Sequence, residues 1–155
     1  MIDRESIRAI WVRLEVDGQP SLFLLTAQDG SINRQGSGSE ENQDLDMFIG
    51  MTSPDVFNGL RGQATPKLLE WCGQSMSDPN PKGRVCRLAV GFVLGDGKEV
   101  GMGWQYGAEA AGPPPEVCDF VRAAVAATNP WHQQQRAMVA HGKRAHQGGA
   151  AATGA

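Results

Sequence analysis

The residues best suited to chemistry crowd into one stretch of this chain. Asp29, Glu40, Glu41, Asp44 and Asp46 gather carboxylates there, and a set of such oxygens is what Mg²⁺ or Ca²⁺ requires. Asp29, Asp44 and Asp46 are the candidate metal ligands, and a divalent-metal-dependent enzyme using acids of the 29–46 loop is the alternative functional reading. The spacing does not follow the Ca²⁺ loop of an EF-hand, and Ser and Gln dilute the acids. A solvated or partner-facing loop is therefore the plainer reading.

The other reactive types are scattered. Cys72, Cys86 and Cys118 are odd in number and lack C-x-x-C spacing, which suits neither a disulfide framework nor a zinc site. Each sits among apolar neighbours, as small buried hydrophobes in a reducing compartment do. His132, His141 and His146 are not spaced as a helical metal pair and lie far along the chain from the first two cysteines, so no Cys–His nucleophile is expected. G-x-S-x-G and H-E-x-x-H do not occur, and no G-x-G-x-x-G leads from a strand into a helix. Gly36-Ser37-Gly38-Ser39 lacks the lysine of a phosphate loop. The sequence thus assigns no catalytic residue and no cofactor.

Composition bounds what remains. With 155 residues, 41% hydrophobic and 20% charged, the chain has material for one core. Its 20 Gly and 9 Pro predict many turns. No apolar run reaches the ~20 residues of a membrane span, and Asp3, Arg4 and Glu5 stand where a signal peptide would be apolar. A cytoplasmic protein without membrane attachment is expected. The net charge is −3, with all 17 acids before residue 120; an acidic body is a poor nucleic-acid surface, and the few bases beyond it read as a solubilising end.

The elements that must position these residues follow a visible rhythm. Ile10, Val12, Leu14 and Val16 alternate with Trp11, Arg13 and Glu15, and Leu22–Leu25 supplies a return strand after Asp17-Gly18, a hairpin signature. Val85–Leu94 and Glu99–Tyr106 flank Asp96-Gly97 in the same way. Helices are expected from Ser53-Pro54-Asp55 and from Pro115-Glu116, each interrupted at a later proline (Pro66, Pro130) and restarted with Thr65 or Asn129 as N-cap. The repetition predicts an α+β, two-layer fold, pseudo-two-fold ββα–ββα, with a four-stranded antiparallel sheet and helices on one face.

The expected organisation is one domain over 1–141, with hairpin–helix halves at 1–77 and 84–141, and a flexible Gly/Ala-rich tail at 142–155. The first half is longer than the second by a loop at 28–52, and long loops inside compact domains are commonly functional. The leading reading is a non-catalytic interaction or regulatory module that presents this loop and an open sheet face to a protein partner, a second copy being one such partner. Its candidate binding residues are Trp11 and Arg13 on the face, Asn33 and Arg34 in the loop, and Met47 and Phe48 after the acids. The apolar Met47–Ile49 group also reads as core closing over the sheet end.

Overall fold

The computed structural model describes residues 2–38 and 46–154, with the side chains of 143–154 left aside. After a 3₁₀ turn at Arg4–Ser6 come strands β1 (Ile7–Val16), β2 (Gln19–Ala27), β3 (Ser31–Gln35) and β4 (Met47–Met51). Helices α1 (Pro54–Gly62) and α2 (Pro66–Leu69) follow, then β5 (Ser75–Ser77), β6 (Val85–Leu94), β7 (Glu99–Gly107) and α3 (Pro115–Gly154). The strands form one sheet in the order β4-β3-β2-β1-β6-β7-β5, antiparallel throughout except that β5 runs parallel to β7.

Local chemistry sets the two long hairpins. Asp17 and Gly18 have φ of 50° and 76°, the paired positive angles of the tight turn whose twist matches the flanking strands. Asp17 also binds the strand beyond β1: its carboxylate accepts from the Val85 N–H at 3.0 Å and from Arg84 Nε at 3.0 Å. These two partners hold the Asp17 carboxyl below its ordinary range, Val85 contributing most. The helix starts obey their caps. Ser53 Oγ accepts from the Asp55 N–H, and Thr65 Oγ1 from the Leu68 N–H, each followed by proline at the first helical position.

The core lies on one face of the sheet. Ile10 and Val12 of β1, Leu22 and Leu24 of β2, Leu88, Val90 and Phe92 of β6 and Met102 and Trp104 of β7 are buried against Phe57, Leu60, Leu68, Val117, Phe120 and Ala124 of the helices. Helix α3 crosses this face obliquely. Phe120 meets Phe92 of β6, Thr128 meets Arg34 of β3, and the Trp131 ring lies where a Cβ on Gly50 of β4 would be 3.0 Å away.

The expected four-stranded ββα–ββα plan is incorrect. The sheet has seven strands and mixed direction, and the halves do not repeat: four strands precede α1 and α2, three precede α3. Much of the stretch expected as a loop over 28–52 is strand, because Ile32 and Arg34 bury on the helix side while Asp29-Gly30, with Gly30 at φ 94°, turns the chain back onto β2. The three-residue β5 is too short to show a period of its own and is held by its pairing with β7. Helix α3 also runs through Pro130 without restarting, so Asn129 is a mid-helix residue and not a cap. Proline leaves the Ala126 carbonyl without its usual donor; side-chain donors gather on the same turn, as described below.

The Cys72 thiol is half-buried against the core, and desolvation pushes it up from about 9 to about 11. The folded chain thus keeps a proton that the unfolded chain releases above pH 9, and stability falls as pH rises from 9 towards 11. Tyr106, pushed up to about 12 mainly by burial, acts in the same sense at higher pH, and Arg34, lowered to about 10 by burial, opposes it only above that value. The urea midpoint is expected to drop between pH 8 and 10.5, and Cys72→Ala to flatten that drop. A midpoint equally pH-dependent in the variant would show that the thiol is not its source.

Candidate functional site

A strand sends alternate side chains to opposite faces, so Trp11, Arg13 and Glu15 of β1 point away from the helices, while Ile7, before the register shift at Ala9, stays in the core. The pairings set them in rows across the sheet. One row reads Ile49, Asn33, Leu25, Trp11, Gly91, Gly101, and the next Met47, Gln35, Phe23, Arg13, Ala89, Gly103. Ser31 and Met51 pair at one end of the face, and Glu15 and Arg87 at the other. Among the described residues, the helix packing recorded above falls on the opposite face.

The face has two halves of different relief. On β4, Met47, Ile49 and Met51 are 42%, 74% and 61% exposed, with half-buried Phe23 and Leu25 two strands inward. Beyond β1 the positions are Ala89, Gly91, Gly101 and Gly103, which carry almost no side chain. Trp11 lies at the seam. A Cβ at Gly91 would overlap the Trp11 indole at Cε2 and Cζ2, so the ring lies down across β6 because position 91 is glycine. Its Nε1–H donates to Glu99 Oε1 of β7 at 2.7 Å, and the Arg13 guanidinium sits 5.5 Å from the ring centroid. Such a cation–π contact contributes about 0.5–1 kcal/mol when exposed. The result is a flat aromatic surface fixed by three strands.

No family model matches the chain, and no match was found among curated proteins or among solved structures. The geometry therefore stands on its own.

The structure brings together four of the six residues expected from the sequence to bind a partner. Trp11, Arg13, Asn33 and Met47 share the open face; Phe48 and Arg34 point the other way. Phe48 is half-buried, edge-on to His132 with ring centroids 5.6 Å apart. Arg34 is 1% exposed, so the expected surface fork is an interior strut. Its Nε donates to the Gly36 carbonyl at 2.9 Å, and its Nη1 to Thr128 Oγ1 at 2.8 Å and Asn129 Oδ1 at 2.9 Å. The Thr128 hydroxyl passes its own hydrogen to the Ala124 carbonyl at 2.9 Å. The guanidinium thus ties β3 to the turn of α3 that Pro130 interrupts.

Asp29 Oδ1 accepts from the Ser31 N–H at 2.9 Å, which closes the β2–β3 turn and holds its carboxyl below the ordinary range. Asp46 is exposed just before β4, and Asp44 lies outside the described residues. Among the described residues no three His, Cys, Asp or Glu side chains are grouped to hold a metal ion. Sequence reasoning missed Gly91, Glu99 and Met51, and its reading of Met47–Ile49 as core closing over the sheet end does not fit Ile49, which is 74% exposed. Ile49 and Met51 had a signal in their alternation with Phe48 and Gly50; the roles of Gly91 and Glu99 depend on strand register.

Arg34→Ala leaves buried oxygens without donors and is expected to cost about 2–4 kcal/mol, read as a lower urea midpoint, whereas Arg13→Ala should change stability by about 0.5 kcal/mol or less. Equal effects would refute the interior role of Arg34. Gly91→Ala must displace the indole and should cost about 1–3 kcal/mol. In this variant and in Glu99→Ala the Trp11 indole N–H should shift in the NMR spectrum and exchange faster with water. An unchanged indole signal would contradict the latched geometry.

Proposed function

We propose that the protein is a non-catalytic interaction or regulatory module that binds a protein partner through the open sheet face. The observation that carries this is the set of apolar side chains on a face free of the helices, Met47, Ile49 and Met51 on β4 and Phe23, Leu25 and the flattened Trp11 on β2 and β1, with the polar Ser31, Asn33 and Gln35 of β3 between them. Large apolar side chains left exposed together on one face and bordered by polar residues mark interaction sites. Trp, Arg and Met are also the residue types that interfaces favour. The ring is already held by Gly91 and Glu99, so binding need not order it, which reduces the entropic cost of association.

Nucleic acid is a poorer fit, since Arg13 and Arg87 share the face with Glu15 and Glu99 and a phosphate backbone requires clustered bases. No described helix is long and apolar enough to cross a membrane. The three free thiols suit the reducing cytoplasm as the place where the partner is met.

A photo-crosslinking residue at position 49, introduced in the cells that make the protein, is expected to give discrete protein adducts, while the same residue at exposed Asn58 of α1 gives none. Adducts at 58 alone, or at neither position, would overturn the proposal.

A further inference from the structure

Resting on the reading of the open sheet as the binding face, we propose that the partner supplies a β-strand. An extended apolar segment of a different polypeptide pairs with the free edge of β4, above the overhanging end of α3. The two margins of the sheet are β4 and β5. Strand β5 is three residues long and runs into Asp78-Pro79-Asn80-Pro81, and shortness, charge and proline are what keep an edge from recruiting strands. Strand β4, Met47-Phe48-Ile49-Gly50-Met51, carries no charge, no proline and no bulge. The Thr52 N–H donates to the Gly30 carbonyl at 2.8 Å, which fixes the phase of the β3–β4 ladder. Bonded pairs alternate with unbonded ones, so Phe48 and Gly50 turn their backbone groups to Arg34 and Ile32. Met47, Ile49 and Met51 turn theirs outwards, and among the described residues those N–H and carbonyl groups have no partner.

The helix makes that edge a slot. It meets β3 at Thr128 and β4 at Trp131 and His132. Three to four residues, at about 1.5 Å each, match one strand spacing of about 4.8 Å, so the next strand position lies over the turn around Gln135. The buried stripe of Val117, Phe120, Ala124, Thr128 and Trp131 continues in spacing to Gln135 and Met138. There the burial ends: Gln135 is half-buried, and Met138 and Val139 are exposed. Helical side chains lean towards the helix N-terminus, which carries Met138 and Val139 back over that turn. An added strand is therefore apolar on both faces. Its side chains on the open face stand beside Met47, Ile49 and Met51, and those on the other rest on Met138 and Val139. Beyond Asp119 the chain carries bases and no acid, which favours an acidic flank on the incoming segment. A second copy paired antiparallel through Ile49 does not fit. Its two-fold axis would pass between Phe48 and Gly50, where α3 already runs, and would lay each overhang on the path of the other helix.

Photo-crosslinking of the full chain, in the cells that make it, tests both walls of the slot. A crosslinking residue at position 138 is expected to join a polypeptide other than this chain, the same one that is joined from position 49. Proline is tolerated where an edge N–H faces outwards, so Ile49→Pro keeps the pairing with β3 but cannot donate to an added strand. It should give about ten-fold less of the position-138 adduct than Ile49→Ala, which loses the same side chain and keeps the N–H. Val139→Asp, on the overhang and outside the core, should lower the position-49 adduct about ten-fold with an unchanged circular dichroism spectrum. That variant decides alone if the proline variant unfolds. Equal position-138 adducts from folded proline and alanine variants overturn the strand pairing, and a position-138 adduct with a second copy of this chain overturns the choice of occupant. Position-49 adducts that ignore Val139→Asp, with none from 138, leave the binding face standing and remove the slot. No adduct from either position removes both.

Discussion

Strand β1 pairs along nearly its whole length with β2 on one side and β6 on the other, and that double pairing governs the rest of the molecule. Strand side chains repeat every two residues, so a slip of one position on either flank would turn an entire apolar set towards water. Ile10 and Val12 face the helices only while Leu22 and Leu24, and Leu88, Val90 and Phe92, do the same beside them. The register that builds the core also decides which residues stand on the other side. Trp11 is opposite Gly91 for the same reason that Val12 is opposite Val90.

The covered face is closed by a helix whose own regularity is compromised. Pro130 removes one backbone donor from α3, and the Arg34 guanidinium brings donors to the same turn from β3. The buried charge is satisfied by neutral oxygens, among them a carbonyl, a hydroxyl and an amide, and burial lowers its pKa to about 10. The pairing of strut and interrupted helix secures the β3–β4 edge, where Phe48 and Gly50 meet the far part of α3. Through that edge, the interior arrangement determines where Met47, Ile49 and Met51 stand on the outside.

What the sequence made legible was local. Asp17-Gly18 and Asp96-Gly97 announce their hairpins because the turn geometry is written in adjacent residues. Ser53-Pro54 and Thr65-Pro66 announce helix starts in the same way. Alternation along β1 correctly separated Trp11, Arg13 and Glu15 from the core. What stayed hidden was non-local. Ser31–Gln35 is polar and poor in β-formers apart from Ile32, and it becomes a strand by pairing with β2 and β4. Ser75–Ser77 is defined by a parallel neighbour some 28 positions later in the chain. Arg34 looked like a surface residue because nothing in its neighbours reveals that α3 passes over it. The role of Gly91 is equally invisible, since its meaning is the ring of a residue 80 positions earlier.

The placement of β6 on the inner edge of β1 has a consequence for how the chain is made. Synthesis runs from the N-terminus, so β1 to β4 emerge and can pair well before residues 85–94 exist. During that interval β1 is not the middle of the sheet but its margin, with its backbone groups on one side unmatched and Ile10 and Val12 lacking the neighbours that later flank them. Exposed strand margins recruit other strands. The nascent protein therefore passes through a stage in which its future centre is its stickiest edge, and the time taken to deliver the second hairpin sets how long that stage lasts.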